Sequence, residues 1–189
     1  MHDSITGLIL AGGASRRFGA DKARAAVEGR TMIARVFEAV SAVTEEVLVS
    51  VREGGEDYGL PGVRVVEDAV PGAGPLAGLE AGLRACRTPW LLVVACDMPF
   101  LTPDALEAIK RRRAPGLDAV VAQTPDGRLQ PLCACYATRI LPVVEARLRS
   151  GRRSMRGLLE RLGAVRVAPL PEAPLRNVNR PGDLGGNVV

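Results

Sequence analysis

Short apolar runs alternate along the chain with segments in which apolar residues recur every three to four positions. The first pattern is typical of buried strands, and the second is typical of helices packed on a sheet. Strands are predicted over residues 5–11, 46–51, 63–66, 90–96, 118–122, 132–136 and 164–168. Helices are predicted over residues 75–84, 143–149 and 154–162, and two more should begin after Thr31 and Thr102. This alternation predicts one α/β domain, residues 1–189, with a doubly wound, mostly parallel sheet.

The ends of the helices and the longest apolar run sharpen this picture. Thr31 and Thr102 are predicted N-caps, because a threonine hydroxyl can accept a hydrogen bond from an N–H group of the first turn. The run 90–96 is apolar throughout, as expected for a central strand covered on both faces. In such folds ligands bind beyond the carboxyl ends of the strands. Residues that carry chemistry are therefore expected just after strands.

The segment LAGGASRRFGADK, residues 10–22, directly follows the first predicted strand. Gly12 and Gly13 would allow a ligand to approach the backbone closely. Arg16, Arg17 and Lys22 can hold phosphate oxygens, and three cations suit a diphosphate or a triphosphate. The segment matches neither the Walker A pattern nor the dinucleotide fingerprint. The alternative is a flexible surface loop with solvated arginines.

Two aspartates also follow predicted strands. Asp97 comes directly after the run 90–96, where a carboxylate is costly unless a cation or a donor compensates it. Mg²⁺ shared with substrate phosphates is a natural partner. Asp68 is a weaker candidate, because an aspartate before a Pro/Gly turn often serves only the turn. The same alternative, a cap or turn residue, remains open for Asp97.

The segment NVNRPGDL, residues 177–184, places Asn177 and Asn179 at alternate positions. If the segment is extended, both amides point to the same side. The alternative is a turn ahead of a short helix. The cationic glycine loop and Asp97 together favour metal-assisted substitution at a nucleoside triphosphate. The only histidine is His2, so a histidine-activated nucleophile is not expected.

Composition and charge narrow the class of protein. Aromatic residues make up only 3%, which disfavours a stacking platform for single-stranded nucleic acid. The net charge of +4 is carried largely by arginines, including the clusters 111–113 and 149, 152 and 153. These clusters are interpreted as solvated helix ends, with a basic rim around an anionic substrate as the alternative. No secretion signal, membrane span or zinc pattern is recognised, so we expect a cytoplasmic protein with reduced cysteines and neither nucleic-acid nor membrane partners.

The motifs LAGGASRRFGADKA, GPLAGL, ACDMPFL, QPLCACY and NVNRPGDL occur in the order seen in a known family. Over nearly its whole length the chain resembles the molybdenum cofactor guanylyltransferases, a branch of the Gly-rich-loop nucleotidyltransferases with a Rossmann-like fold. The resemblance implies transfer of GMP from GTP to the terminal phosphate of the molybdopterin cofactor, with release of pyrophosphate. It implies Mg²⁺ as cofactor. We also expect a monomer or weak oligomer that meets cofactor-delivery proteins transiently.

The resemblance also implies roles for individual residues. Nucleotide contacts are implied for Leu10, Ala11, Gly12, Gly13, Lys22, Ser50, Asp68, Gly78 and Asp97. Catalytic roles are implied for Arg17, Lys22 and Asp97, with Asp97 as the metal ligand. The acceptor side is implied for Gln130, Pro131, Asn177 and Asn179. Ser50 stands where some family members have a nucleotide-contacting asparagine, and a hydroxyl can replace only part of that contact.

Three alternatives remain open at this point. Two are related enzymes that transfer a cytidylyl group to the same pterin or a nucleotidyl group to a sugar phosphate. The Leu-Ala-Gly-Gly version of the first motif disfavours the cytidylyl branch, which the resemblance associates with Leu-Ala-Ala-Gly. Sugar-nucleotide enzymes often carry a second metal-binding aspartate where Asn179 stands. The third is a catalytically silent nucleotide-binding module, which the joint presence of Arg17, Lys22 and Asp97 disfavours.

Overall fold

A computed structural model describes residues 4–12, 22–55, 57–68, 70, 72–179 and 183. The strands are β1 (Thr6–Leu10), β2 (Ala26–Val27), β3 (Arg30–Thr31), β4 (Glu46–Arg52), β5 (Val63–Asp68), β6 (Trp90–Ala95), β7 (Ala119–Gln123), β8 (Leu129–Ala137) and β9 (Val165–Pro169). The α-helices are α1 (Met32–Ser41), α2 (Pro75–Ala85), α3 (Pro103–Lys110), α4 (Leu141–Arg149) and α5 (Met155–Arg161). Single 3₁₀ turns lie at Lys22–Arg24, Thr138–Ile140 and Ala173–Leu175.

Seven strands form one sheet in the order β5-β4-β1-β6-β8-β7-β9. The pairs that β1 makes with β4 and β6 are parallel, as are β4 with β5 and β7 with β9. The predicted doubly wound, mostly parallel α/β sheet is therefore confirmed. Of the seven strands of this sheet as described, β8 alone runs antiparallel to both of its neighbours. The connection from β7 to β8, residues 124–128, is too short for a crossover and closes a hairpin.

The seven predicted strands of this sheet are all present, and the boundary that differs most from the prediction is the start of β8. The prediction began a strand at Leu132, whereas β8 begins at Leu129 and includes Gln130 and Pro131. A proline inside a strand argues against a regular ladder, and the sheet accommodates this one in a bulge. Between Val121 and Ala122 of β7 the partner residue in β8 jumps from Ala134 to Gln130.

The predicted helix caps are confirmed. The hydroxyl of Thr31 accepts a hydrogen bond from the Ala34 N–H group, and that of Thr102 accepts one from Ala105. Helix α2 begins differently, because it has Pro75 in its first turn and the preceding Gly74 has φ +67°. A residue with a side chain would be strained at that angle, so glycine suits the sharp entry into α2.

Hydrophobic residues cover both faces of the sheet, which explains the uninterrupted apolar runs. Ile9 of β1 packs in the layer that includes residues of α1 and α3, and its neighbour Leu8 packs in the layer that includes residues of α2, α4 and α5. Cys96, Cys133 and Cys135 are buried and not in disulfides, as predicted. Among the described residues no helix is both long enough and apolar enough to cross a membrane.

Candidate functional site

The carboxyl ends of β1, β4, β5 and β6 meet at one edge of the sheet, and a pocket lies there. In the register of the sheet Leu10 is level with Ser50 on one side and with Ala95 on the other. The chain leaves β1 towards one half of the sheet and later enters β6 in the other half, which is the position where α/β folds form a ligand crevice. The pocket is lined by Leu10, Ala11, Gly12, Lys22, Ala23, Ser50, Asp68, Gly74, Pro75, Gly78, Ala95, Cys96, Asp97 and Leu132.

Eight of the residues predicted to bind the nucleotide therefore line one pocket, although they come from six separate parts of the sequence. They are Leu10, Ala11, Gly12, Lys22, Ser50, Asp68, Gly78 and Asp97. The ninth residue of this group, Gly13, and the predicted catalytic residue Arg17 lie outside the described residues. Their roles, like those of the eight, stay predictions.

The backbone that follows β1 is held on both sides. The N–H group of Ala11 donates to the Ser50 carbonyl at 2.9 Å, and the Leu10 carbonyl accepts from the Cys96 N–H group at 3.1 Å. These bonds continue the parallel ladders past the end of the strand. The wall formed by residues 10–12 is therefore fixed before any ligand arrives.

Glycine at position 78 lets α2 pack closely on the sheet. A Cβ atom there would lie 2.6 Å from Ser50 Oγ and 2.7 Å from Leu10 Cδ2, which is too close for any residue but glycine without a shift. Ser50 itself is only 1% exposed. Glycine at position 78 thus determines how closely α2 approaches Leu10 and Ser50 at the pocket, whether or not Gly78 also touches a ligand.

Asp68 stands at the rim of the same wall. A Cβ atom at Gly12 would lie 3.5 Å from Asp68 Oδ2 and 3.3 Å from the Arg52 backbone nitrogen, so the space between these segments is narrow. Burial raises the pKa of the Asp68 carboxyl above its ordinary value, while a backbone hydrogen bond and the Arg52 charge act in the opposite direction. The carboxylate is therefore a partly desolvated acceptor beside the glycine segment.

Lys22 and Asp97 form the charged centre of the pocket. Lys22 Nζ donates to Asp97 Oδ2 at 2.9 Å and to Asn179 Oδ1 at 2.9 Å. The Lys22 and Asp97 side chains are 15% and 20% exposed, so the pair is largely shielded from water. Asp97 Oδ1 is buried and accepts no hydrogen bond from the part of the chain that the structure describes. A buried carboxylate oxygen without a donor is costly, which makes the Asp97 carboxylate a candidate metal ligand.

A segment near the C-terminus brings Asn179 to this centre. The Val178 N–H group donates to the Asp97 carbonyl at 2.8 Å. The Val178 side chain is fully buried against Val27 of β2 and Met32, the residue that follows β3. Asn177 and Asn179, on either side of it, are exposed. The hairpin was not predicted, because two-residue strands show no period, yet it forms the seat that positions Asn179.

The residues predicted for the acceptor side are only partly gathered at the pocket. Asn179 reaches it through Lys22, whereas Gln130, Pro131 and Asn177 are not among its lining residues. The bulge in β8 nevertheless points one residue of this stretch, Leu132, into the lining. The hydroxyl of the buried Tyr136 donates to the Pro131 carbonyl at 2.8 Å and fixes the bulge. The acceptor roles of the three residues stay predictions.

The donor set at the centre fits a hard divalent cation. A carboxylate oxygen of Asp97 and the amide oxygen of Asn179 are the kinds of ligand that Mg²⁺ prefers. Within the described ranges no group of three or more histidine, cysteine, aspartate or glutamate side chains is placed to hold a metal. An ion here would therefore take most of its ligands from phosphate and water, as Mg²⁺ commonly does in nucleotide sites.

One arginine that was interpreted as a solvated helix end, Arg153, is exposed and also contacts a loop beside the pocket. Arg153 Nη1 donates to the Gly72 carbonyl at 3.0 Å, and the loop that contains Gly72 leads to the lining residues Gly74 and Pro75. By contrast, Arg111 pairs with Glu107 and Arg112 donates to the Ala108 carbonyl, both in the last turn of α3, which these arginines follow. Nothing in the local sequence distinguishes these arginines, because the contact of Arg153 spans 81 positions.

The sequence and the fold were both compared with known proteins, and the matches point to one family. The sequence model of the MobA-like NTP transferase domain matches residues 7–167. A relative from Desulfosudis oleivorans named molybdenum cofactor guanylyltransferase is 35% identical over 178 residues, which cover 94% of this chain and 86% of the relative. A Deinococcus radiodurans protein named "Probable molybdenum cofactor guanylyltransferase" is 38% identical over 180 residues, covering 95% and 92% of the two chains. The crystal structure of molybdopterin-guanine dinucleotide biosynthesis protein A from Archaeoglobus fulgidus superposes with a TM-score of 0.74 at 27% identity, covering 95% and 94%.

Proposed function

The chain belongs to the MobA-like NTP transferase domain family, and from that premise we propose that it transfers GMP from GTP to the terminal phosphate of the molybdopterin cofactor. Pyrophosphate is the second product, and the dinucleotide form of the cofactor is the first. The observation that carries the proposal is the meeting of Lys22, Asp97 and Asn179 beside the fixed segment 10–12. That arrangement offers a rigid wall for a nucleotide, a cation for its phosphates and a carboxylate for a metal.

The wall of residues 10–12 is proposed to hold the guanine nucleotide through backbone groups. Because this wall is fixed by hydrogen bonds to the neighbouring strands, its donors and acceptors do not rearrange to suit a different base. A base that leaves buried polar groups unpaired is rejected strongly. The Asp68 carboxylate lies near the same wall and is proposed as a further acceptor for the nucleotide.

Lys22 is proposed to hold the triphosphate, and Arg17 is proposed to assist it. The lysine ammonium is a compact charge on a flexible stem, so it can follow the phosphates as charge shifts towards the leaving group. Asp97 is proposed to hold Mg²⁺, which supplies charge neutralisation between the attacking phosphate and the α-phosphate when it is bound. Asn179 is proposed to orient the acceptor, together with Gln130, Pro131 and Asn177.

The proposed reaction is direct. An oxygen of the acceptor phosphate attacks the α-phosphorus of GTP, the bond to the bridging oxygen breaks, and pyrophosphate leaves with that oxygen. No covalent intermediate with the protein is needed, and catalysis rests on positioning and charge stabilisation. Both substrates are proposed to be met in the cytoplasm, with cofactor-delivery proteins as transient partners.

The test is an end-point assay with purified protein, molybdopterin cofactor and one nucleotide at a time. With GTP we expect stoichiometric pyrophosphate and a guanine dinucleotide detected by mass spectrometry. Greater product with CTP would favour a cytidylyltransferase. A parallel reaction takes a sugar phosphate as acceptor, and product in that reaction alone would favour a sugar-phosphate nucleotidyltransferase. A silent binding module would bind nucleotide in calorimetry but release no pyrophosphate with any acceptor.

A further inference from the structure

The Lys22 ammonium lies between two oxygen atoms that are suited to a metal ion. Its Nζ atom is 2.9 Å from Asp97 Oδ2 and 2.9 Å from Asn179 Oδ1. These are the carboxylate and the amide oxygen that make the site fit a hard divalent cation. In this state a positive charge already compensates the Asp97 carboxylate.

The second carboxylate oxygen is closed for a different reason. Asp97 Oδ1 is buried, and no donor within the described residues reaches it. A hydrated divalent ion binds a carboxylate by replacing one of its water ligands with a carboxylate oxygen, so that oxygen must be accessible. Mg²⁺ gives up its water ligands reluctantly. With Oδ2 bonded to Lys22 and Oδ1 buried, Asp97 offers no open coordination position.

We propose that Lys22 acts as an internal stand-in for the metal, closing the cation site until a triphosphate draws the lysine away. The triphosphate carries several negative charges and competes for the ammonium with a single carboxylate. Once Lys22 turns to the phosphates, Asp97 and Asn179 lose their cation and become available to the divalent ion. Nucleotide and metal then bind with positive coupling, and the coupling is reciprocal.

This inference rests on the proposed function only for the identity of the anion. The competition at Asp97 can be measured without GTP, without acceptor and without turnover. Failure of guanylyl transfer and failure of the stand-in role are therefore separate results.

The chain has two lysines, Lys22 and Lys110, which gives a matched control. Lys110 pairs with Glu107 within α3 and does not line the pocket. The probe is Mn²⁺ added to nucleotide-free protein, with free Mn²⁺ measured by electron paramagnetic resonance. We expect Lys22→Met to bind Mn²⁺ about tenfold more tightly than wild type, because a competing charge a few ångströms away is gone. Lys110→Met should bind as wild type does.

The double variant Lys22→Met/Asp97→Asn separates a local competition from a general change in charge. If Lys22 blocks the Asp97 carboxylate, the double variant loses the gain in Mn²⁺ affinity that Lys22→Met shows. A gain that persists without the Asp97 carboxylate would overturn the proposal. Equal or weaker Mn²⁺ binding by folded Lys22→Met would do the same.

A second measurement uses wild-type protein and does not depend on a folded variant. With lysine labelled at the ε-carbon, nuclear magnetic resonance shows one side-chain signal for each lysine, and Lys110 is the internal reference. Tripolyphosphate without metal should shift the Lys22 signal, whereas millimolar Mg²⁺ alone should leave it in place. If Mg²⁺ alone displaces the Lys22 signal, the lysine does not close the site.

Discussion

Two basic regions of the molecule resemble each other in composition but differ in the range of their contacts. At the pocket, Lys22 bonds to residues that are 75 and 157 positions away in the sequence. At the end of α3, the Arg111 and Arg112 side chains bond to groups only four positions away. Local contacts of the second kind stabilise a helix end and form wherever the helix forms. Long-range contacts of the first kind exist only because the whole sheet is assembled, and they mark the region as the candidate site.

The largest expected effect tests whether the long-range centre carries chemistry. Asp97→Asn keeps the shape of the side chain but removes the charge that a metal and Lys22 both need. We expect a fall in turnover on the order of a hundredfold or more, about 3 kcal/mol of barrier. The measurement is turnover against Mg²⁺ concentration, with circular dichroism to confirm folding. A folded variant with near-normal turnover and unchanged Mg²⁺ dependence would remove Asp97 from the site.

The next effect concerns the cation of the same centre. Lys22→Ala removes a charged hydrogen-bond donor from the triphosphate, for which a loss of about 2 kcal/mol in kcat/KM is expected. The same variant should weaken GTP binding in calorimetry. Lys110→Ala is the matched control and should leave both quantities near the wild-type values. Similar losses in the two variants would show that the difference between local and long-range contacts does not identify the site.

A third test compares two glycines on the same face of α2. A Cβ atom at Gly78 would clash with Ser50 and Leu10 at the pocket, and one at Gly82 would lie 2.4 Å from Leu8 Cδ2 in the core. Both Gly→Ala changes overpack the sheet, and we expect each to lower the free energy of unfolding by about 1 kcal/mol, after the better helix propensity of alanine is counted. Only Gly78→Ala should also weaken nucleotide binding, because only it displaces the pocket wall.

Chemical denaturation gives the stability of both glycine variants, and calorimetric titration with GTP gives the affinity. Weakened GTP binding by Gly82→Ala to the same degree would mean that the loss arises from general loosening of α2. Unchanged binding by Gly78→Ala would mean that the wall near Ser50 does not touch the nucleotide.

Much of this architecture can be predicted from the sequence, because it follows from local patterns and one rule of topology. The apolar runs predict the strands, Thr31 and Thr102 predict helix starts, and the rule that ligands bind beyond parallel strand ends brings Lys22, Asp68 and Asp97 to one edge. Most of these signals lie within a few residues of the feature that they predict, whereas Lys22 lies at the far end of the loop that follows β1.

The remaining features could not be predicted, because they depend on contacts between distant segments. Each strand of the β2–β3 hairpin has only two residues, and the Val178 side chain packs against the hairpin and the start of α1. The bulge that carries Pro131 depends on the register between β7 and β8, and the Tyr136 hydroxyl fixes it. No local period signals either arrangement, since each is selected by tertiary packing rather than by propensity.

The smallest expected effect concerns two arginines that were both interpreted as solvated helix ends from the sequence. Arg153 donates across 81 positions to the Gly72 carbonyl beside the pocket, and Arg112 donates across four positions to the Ala108 carbonyl in α3. Arg153→Ala removes one exposed hydrogen bond to the loop that leads into α2, so the loop loses a tether at a cost of about 1 kcal/mol or less. We expect a KM increase for GTP of a few-fold with little change in kcat, since the hydrogen bond holds the loop at Gly72 rather than the reacting atoms.

The control is Arg112→Ala. It should change neither parameter, because surface substitutions away from such contacts usually change the free energy by no more than about 0.5 kcal/mol. Steady-state kinetics of both variants at saturating acceptor makes the measurement. An equal response of the two would place Arg153 with the solvated helix ends, and a large loss in kcat would place it among the reacting groups.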